Sequence, residues 1–238
     1  MREKRKSGEL RKIKITKGFI NQPCASVLIE WGNTKVLCSA TVEERVPPHV
    51  LGSGAGWVTA EYSMLPASTA TRNQRDINKL KLSARSAEIQ RLIGRSLRAA
   101  VDMKKLGERQ ITVDCDVLSA DGGTRCASVT GGFIALALAC KKLVTDGVIE
   151  ESPIINQVAA VSVGIVDGEV LCDLEYVEDS AAEVDMNVVM TDKGSFVELQ
   201  GTGEHGVFAD NELKKLISLA KAGLKKIFAM QKRVIEND

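Results

Sequence analysis

The stretch from Ile111 to Ala137, ITVDCDVLSADGGTRCASVTGGFIALA, constrains the fold more than any other part of the chain. Its first half alternates, with Ile111, Val113, Cys115 and Val117 on one side and Thr112, Asp114 and Asp116 on the other. That period predicts a half-buried strand. Asp121-Gly122-Gly123 follows as a turn signal, and an Ala- and Gly-rich apolar run then continues almost without charge to Lys141. The run is too long for a strand and lacks a polar stripe, so it predicts a helix buried on nearly all sides. Thr124 and Arg125 stand where the loop becomes that helix. There the first backbone N–H groups have no partner, and the aligned peptide dipoles favour an anion. Two glycines let backbone approach a ligand closely, and an arginine adds a forked donor that fits phosphate. These residues suit a phosphate or phosphodiester site; they equally suit a plain strand–turn–helix with a solvated arginine.

With 238 residues the chain can bury a sizeable core, as one large domain or two fused small units. The longest uninterrupted apolar run, Phe133–Cys140, is far short of the ~20 residues of a membrane span, so no membrane partner is expected. The N-terminus, MREKRKSGELRKIK, is charged throughout and has no apolar signal core, which points to a cytoplasmic protein. Six scattered cysteines, without a CxxC pair, read as buried thiols and not as a disulfide frame or zinc site. Only His49 and His205 are present, which argues against histidine-centred triads and multi-histidine metal sites.

The net charge of +1 hides a segregation. From Arg72 to Arg109 eleven Lys/Arg face four Asp/Glu, whereas from Asp167 to Glu212 thirteen Asp/Glu face the single base Lys193. Both segments adjoin apolar-patterned stretches, which favours an anion site beside a metal or proton-transfer site over two solvated faces.

Strands are predicted at Ile13–Thr16, Ser26–Trp31 and Thr34–Thr41, the last two joined by the hairpin signal Gly32-Asn33. Residues 1–11 read as frayed or draped over a partner. Glu43 to Asn78 is long and irregular, interrupted by one strand at Trp57–Leu65; loops of this length are commonly functional or disordered. Its end, Ser68 to Arg75, combines hydroxyls, amides, Arg72 and Arg75 without bulky apolar residues. That composition suits contacts to a nucleic-acid backbone, and a solvent-exposed loop would look similar. Ser83–Val101 predicts a helix with Ile89, Leu92, Ile93 and Leu97 on its apolar side and Arg91, Arg95 and Arg98 as a basic stripe. Arg85 lies near the helix start, where an anion is favoured. Two further hairpins are predicted, Val158–Val166 with Glu169–Glu175 and Asp185–Thr191 with Ser195–Gln200. Asp210 is placed to cap a last helix running towards Val234. Strands followed by helices in two successive rounds argue for an α+β chain of two related halves sharing one core.

Between Asp173 and Asp185 the chain should leave one strand at Tyr176 and enter the next near Met186, so Asp179 and Asp185 can converge. Two converging carboxylates can hold Mg²⁺ together with phosphate oxygens and water. One of them can instead stay protonated as a general acid, and a solvated acidic turn would carry the same residues. Gly201-Thr202-Gly203-Glu204-His205-Gly206 matches G-x-G-x-x-G, but the helix after it is the last element, so a dinucleotide fold does not follow. No P-loop pattern occurs, which weakens a triphosphatase or small-molecule kinase reading.

The strings GWVTAEYSMLP (Gly56–Pro66), TRNQR (Thr71–Arg75), EIQRLIGRSLRA (Glu88–Ala99) and DCDVLSADGGTR (Asp114–Arg125) recur in order with three more. These are AAVSVGIV (Ala159–Val166), CDLEYVEDSAAEVDMNVVMT (Cys172–Thr191) and VELQGTGE (Val197–Glu204). Together the chain resembles the ribonuclease PH family of phosphate-dependent 3′-exoribonucleases, related to polynucleotide phosphorylase and the exosome ring. The likeness runs from about Leu10 to the C-terminal helix.

The resemblance implies an α+β fold of two βαβα-type halves of the ribosomal-protein-like kind, sharing one core. It implies one domain over residues 1–238, with a basic segment at about 56–131 and an acidic one at about 167–212. It implies a ring-shaped homo-hexamer, a trimer of dimers. The implied activity is reversible nucleotidyl transfer that trims the 3′ ends of tRNA precursors and other RNAs, with inorganic phosphate as co-substrate and Mg²⁺ as cofactor. Arg85, Gly123, Thr124 and Arg125 match the family's phosphate ligands. Asp179 and Asp185 match its catalytic and metal-binding acids, with Asp179 the expected proton donor, and Arg72 and Arg75 its RNA-contacting arginines. Ala67 departs from the pattern, since many relatives carry an arginine there, and Ala25 replaces a common glycine. Some relatives in larger assemblies have lost the acids and only grip RNA; the presence of both aspartates and both arginines favours the enzyme.

Overall fold

The computed structural model describes Arg2 and residues 5–75 and 83–237; residues 76–78, the end of the predicted irregular loop, lie outside them. Strands β1 (Ile13–Lys17), β2 (Ala25–Trp31) and β3 (Thr34–Glu43) form an antiparallel meander. Its second turn is the Gly32-Asn33 hairpin, where Gly32 takes the left-handed φ of 60° that side chains resist. Then come β4 (Trp57–Met64), helix α1 (Ala84–Arg98), the short α2 (Met103–Leu106), β5 (Gln110–Ser119) and α3 (Thr124–Thr145). The first sheet has the order β1-β2-β3-β5-β4. Only the β4–β5 pair in it is parallel, so β4, α1, β5 and α3 make a βαβα run.

The second half contains β6 (Val158–Val166), β7 (Glu169–Cys172), α4 (Tyr176–Ser180), β8 (Val184–Thr191), β9 (Phe196–Thr202) and α5 (Asp210–Glu236). These four strands form an antiparallel sheet of order β7-β6-β8-β9. Helix α5 packs on β6 and β7.

Helix α3 joins the halves. It packs on β2, β3 and β5 of the first sheet, on β6 of the second, and on α1 and α5. By length and composition it could cross a membrane, but the fold buries 78% of its most apolar window inside the protein. Close approach to the first sheet depends on its small residues: a Cβ on Gly131 would lie 2.8 Å from Ile29 Cγ2 and 2.9 Å from Cys38 Sγ. As the alternation in β5 requires, Ile111, Val113, Cys115 and Val117 enter the core. One apolar cluster runs from Val27 in β2 through α3 to Ile227 in α5, so both sheets share a core.

Several expectations need correction. β7 ends at Cys172, not Glu175, because Asp173 turns the chain with a positive φ of 59°, and α4 fills what looked like a plain connection. Asp210 is the first helical residue of α5 rather than its cap. The cap is Ala209, whose N–H donates to Glu212 Oε2 at 2.8 Å. The basic stripe of α1 is not uniform: Arg95 Nε donates to Glu198 at 2.8 Å, and Arg98 lies 4.7 Å over the Trp57 ring. The N-terminal arm is not frayed where it is described. Arg2 Nη2 donates to Glu178 at 2.6 Å, and the Arg11 guanidinium is paired with Asp173 at 2.6 Å. All six cysteines are free thiols, and all but Cys24 are buried.

Candidate functional site

The Asp121–Gly123 turn delivers α3 with its N-terminus open. Gly123 is the N-cap in the left-handed region, φ 68° and ψ 21°, and no side chain caps the helix. No acidic residue occupies its first turn. The leading amides and the positive end of the helix dipole therefore remain available to an anion. Thr124 is buried, and its hydroxyl lies 2.9 Å from the Tyr62 hydroxyl of β4, which fixes the start of the helix against the first sheet.

Arg125 leaves the first turn of α3 towards the second sheet. Its Nη1 donates to Gln200 Oε1 of β9 at 2.6 Å and lies 3.7 Å from Glu88 of α1. Gln200 in turn donates to Glu88 at 3.3 Å. Arg85 comes from the first turn of α1, which Ser83 caps by accepting from the Ser86 N–H at 3.0 Å. Arg85 is close enough to both Tyr62 and Asp179 to favour their ionised forms.

Asp179 lies near the end of α4 and Asp185 in β8, so a single tight connection brings both carboxyls within electrostatic reach of Arg125. Burial pushes the Asp179 carboxyl up from its ordinary value, against the pull of Arg125 and Arg85. Burial, then repulsion from Asp179, pushes Asp185 up to about 6. Asp185 Oδ1 is buried and accepts no hydrogen bond among the described residues, while Oδ2 faces the Asn187 amide at 3.5 Å. A buried carboxylate oxygen left free by its own protein is a ready acceptor for a proton or a cation. Among the described residues no cluster of three or more His, Cys, Asp or Glu suits a metal. Two carboxylates with one oxygen free fit a cation that takes its remaining ligands from phosphate and water, as Mg²⁺ does.

The fold thus gathers Arg85, Gly123, Thr124, Arg125, Asp179 and Asp185, which lie far apart in sequence. Arg85 and Arg125 of the basic segment act electrostatically on Asp179 of the acidic segment, and Arg125 also on Asp185, so these parts of the two segments lie together. Arg75 and Arg85 line a pocket of about 680 Å³ together with Tyr62, Asp114 and Asp116. Arg72 and Arg75 are exposed at the end of a folded turn in which Asn73 donates to Thr69 at 2.7 Å. That turn is tied to the central loop through the Ala120 N–H, which donates to the Ser68 carbonyl at 2.8 Å.

Sequence reasoning missed Tyr62, Glu88, Gln200 and Asn187, and it missed the Arg11–Asp173 pair. Glu88 and Gln200 carry a weak signal as polar residues within otherwise patterned stretches. Arg11 carries none, because its partner lies 162 residues away.

Comparison with known proteins is consistent along the whole chain. Sequence models described as 3′ exoribonuclease family, domain 1 and domain 2, match residues 9–142 and 156–223. The ribonuclease PH of Syntrophomonas wolfei subsp. wolfei is 56% identical over 233 residues, covering 98% of this chain and 98% of its own. That of Bacillus pumilus is also 56% identical over 233 residues, covering 98% of this chain and 96% of its own. Among solved structures, rice (Oryza sativa) Rrp46 superposes with a TM-score of 0.78 at 16% identity, covering 98% of this chain and 99% of its own. A chain of the Archaeoglobus fulgidus exosome with RNA bound to the active site gives 0.79 at 20% identity, covering 95% of this chain and 90% of its own. At these identities the two structures speak to the fold alone.

Proposed function

Because the chain belongs to the 3′ exoribonuclease family, we propose that the walls formed by α3 and by the α4–β8 connection are its active site. The activity is that of the ribonuclease PH relatives: phosphorolytic 3′-exoribonuclease action, a nucleotidyl transfer, in tRNA processing. The observation that carries the site assignment is the facing of an uncapped helix N-terminus, flanked by Arg85 and Arg125, towards the two raised carboxyls.

Phosphate sits on the Gly123–Thr124 backbone and is oriented by Arg125 and Arg85, which supply charge-assisted donors. A phosphate oxygen attacks the terminal phosphodiester, the bond from phosphorus to the 3′ oxygen breaks, and that oxygen takes a proton from the carboxyl pair. The products are a nucleoside diphosphate and an RNA shorter by one residue. The sequence pointed to Asp179 as donor, whereas the stronger upward shift falls on Asp185. Two interacting carboxyls titrate as a pair, so the proton belongs to the dyad. Asp179 and Asp185 would also hold Mg²⁺, which when bound offsets charge on the scissile group. Arg72 and Arg75, exposed at the entrance, guide the RNA backbone. Copies assemble as a hexamer, a trimer of dimers; Phe196 and Leu199, exposed on edge strand β9, support burial against a second copy.

Incubating a tRNA precursor with the protein, Mg²⁺ and radiolabelled phosphate tests this reading. Labelled nucleoside diphosphates formed only when phosphate is present support it. Release of unlabelled nucleoside monophosphates, or no turnover, contradicts it, and the latter fits a subunit that only grips RNA.

A further inference from the structure

One buried arginine touches both walls of the site. Arg11 is 7% exposed and donates its backbone N–H to Asp173 Oδ2 at 2.6 Å. Its Nη2 and Nε donate to Asp173 Oδ1 at 2.6 and 3.1 Å, and its Nη1 reaches the Asp121 carbonyl at 2.5 Å. Asp173 takes a further donor from Trp31 Nε1 at 2.9 Å, and its left-handed backbone is the bend that turns β7 into α4. Asp121 opens the phosphate loop and is itself held on three sides. Its N–H donates to the Thr34 hydroxyl at 2.9 Å, and its carboxylate accepts from Asn33 Nδ2 at 3.0 Å and from the Tyr176 N–H at 3.4 Å.

The contact is close at the glycines. A Cβ on Gly123 would lie 2.9 Å from Arg11 Nη2, and one on Gly122 would lie 2.7 Å from the Leu174 carbonyl oxygen. The N-cap residue of α3 therefore rests beside the guanidinium, and the loop before it rests on the backbone that leads into α4.

We propose that Arg11 is a positioning residue that holds the phosphate loop Asp121–Gly123 in register with the turn that carries Asp179. It does so by sharing its fork between the Asp121 carbonyl and the Asp173 carboxylate. The proposal rests on the site assignment above and adds the joint that aligns its two walls. In-line attack requires the nucleophile and the proton donor to be held in one geometry, and small misplacements are costly. A planar guanidinium can bond in two fixed directions at once; an ammonium at the same place keeps the charge and loses the fork.

The test compares wild type, Arg11→Lys, Trp31→Phe and Leu224→Ala. The last is a core variant in α5, away from the site, that lowers stability for an unrelated reason. For each, kcat, the phosphate KM and the rise in melting temperature caused by inorganic phosphate are measured. Arg11→Lys should raise the phosphate KM about tenfold and lower kcat about tenfold, the effect of losing roughly one charge-assisted hydrogen bond. It should also need about tenfold more phosphate for the same rise in melting temperature. Trp31→Phe, which removes one donor from Asp173, should move the same quantities in the same direction by a smaller factor. Leu224→Ala should leave all three near wild type despite a lower starting melting temperature. If Arg11→Lys does not fold, Trp31→Phe decides. A folded variant with normal KM, normal kcat and a normal phosphate response overturns the role of Arg11. If wild type itself shows neither a phosphate-induced rise nor phosphate-dependent product, the site assignment fails instead.

Discussion

Arg125 donates to Gln200 across the site at 2.6 Å, which ties the first turn of α3 to edge strand β9. Gln200 is held in turn by Glu88. The arginine that should grip phosphate is thus oriented in advance by the Gln200 amide oxygen, with the Glu88 carboxylate also 3.7 Å away. Gln200→Ala should loosen that orientation and raise the phosphate KM by about three- to tenfold, with kcat less affected, since the variant loses an orienting hydrogen bond while Arg125 keeps its own charge and donors for phosphate. Steady-state phosphate titration of the variant checks this.

Asp185 should cost stability near neutral pH in the absence of metal. Its pKa is raised from 3.8 to about 6, chiefly by burial and then by Asp179. A raised acid favours the folded state while it is protonated, and that contribution is lost as pH rises through the folded pKa. Asp185→Asn should therefore unfold at a higher temperature than wild type at about pH 7.5 in a chelating buffer, by roughly 1–3 kcal/mol. The gain should shrink as pH falls through about 6 and be lost at about pH 3, where the carboxyl is largely protonated in both states. Thermal melts across that range give the sign directly.

Arg72 is exposed on the turn before α1, so its contribution should be to RNA alone. Arg72→Ala should weaken RNA binding and flatten the slope of log affinity against log salt by about 0.7, the share of one phosphate contact to a single strand. The phosphate KM should not move. Binding titrations at several salt concentrations measure both.

Gly131 tests how α3 docks. A methyl group there would meet Ile29 Cγ2 at 2.8 Å and Cys38 Sγ at 2.9 Å, both in the buried face of the first sheet. Gly131→Ala should destabilise by about 1–3 kcal/mol through overpacking, although alanine is the better helix former. Denaturant unfolding checks the direction.

The strand–turn–helix at the centre was legible in the sequence because its signals are local. Alternation marks β5, two glycines mark the turn, and an unbroken apolar run marks a helix with no solvent side. The candidate site residues stood out for the same reason, as charged or glycine positions next to patterned elements, reinforced by the ordered family strings. What the sequence hid was long-range. Arg11 sits in a basic arm that reads as surface, and only the folded chain brings Asp173 to it. The bend at Asp173 was hidden as well, because a non-glycine residue with positive φ leaves no mark in hydropathy. Helix α4, at five residues, is too short to show a helical period. The fate of the α1 arginines likewise depended on which strand edge they would face.

The proposed site divides labour between its two walls. Measured side by side, Arg125→Ala should raise the phosphate KM by roughly 10- to 150-fold, the loss of a charge-assisted contact, while RNA affinity changes little. Asp179→Asn keeps the shape of the side chain and removes the ionisable group, so it should depress kcat by about 10²–10⁴-fold with the phosphate KM nearly unchanged. If Asp179→Asn turns over at a near-normal rate while Arg125→Ala alters only RNA affinity, the assignment of phosphate to α3 and of proton transfer to the α4–β8 connection is wrong.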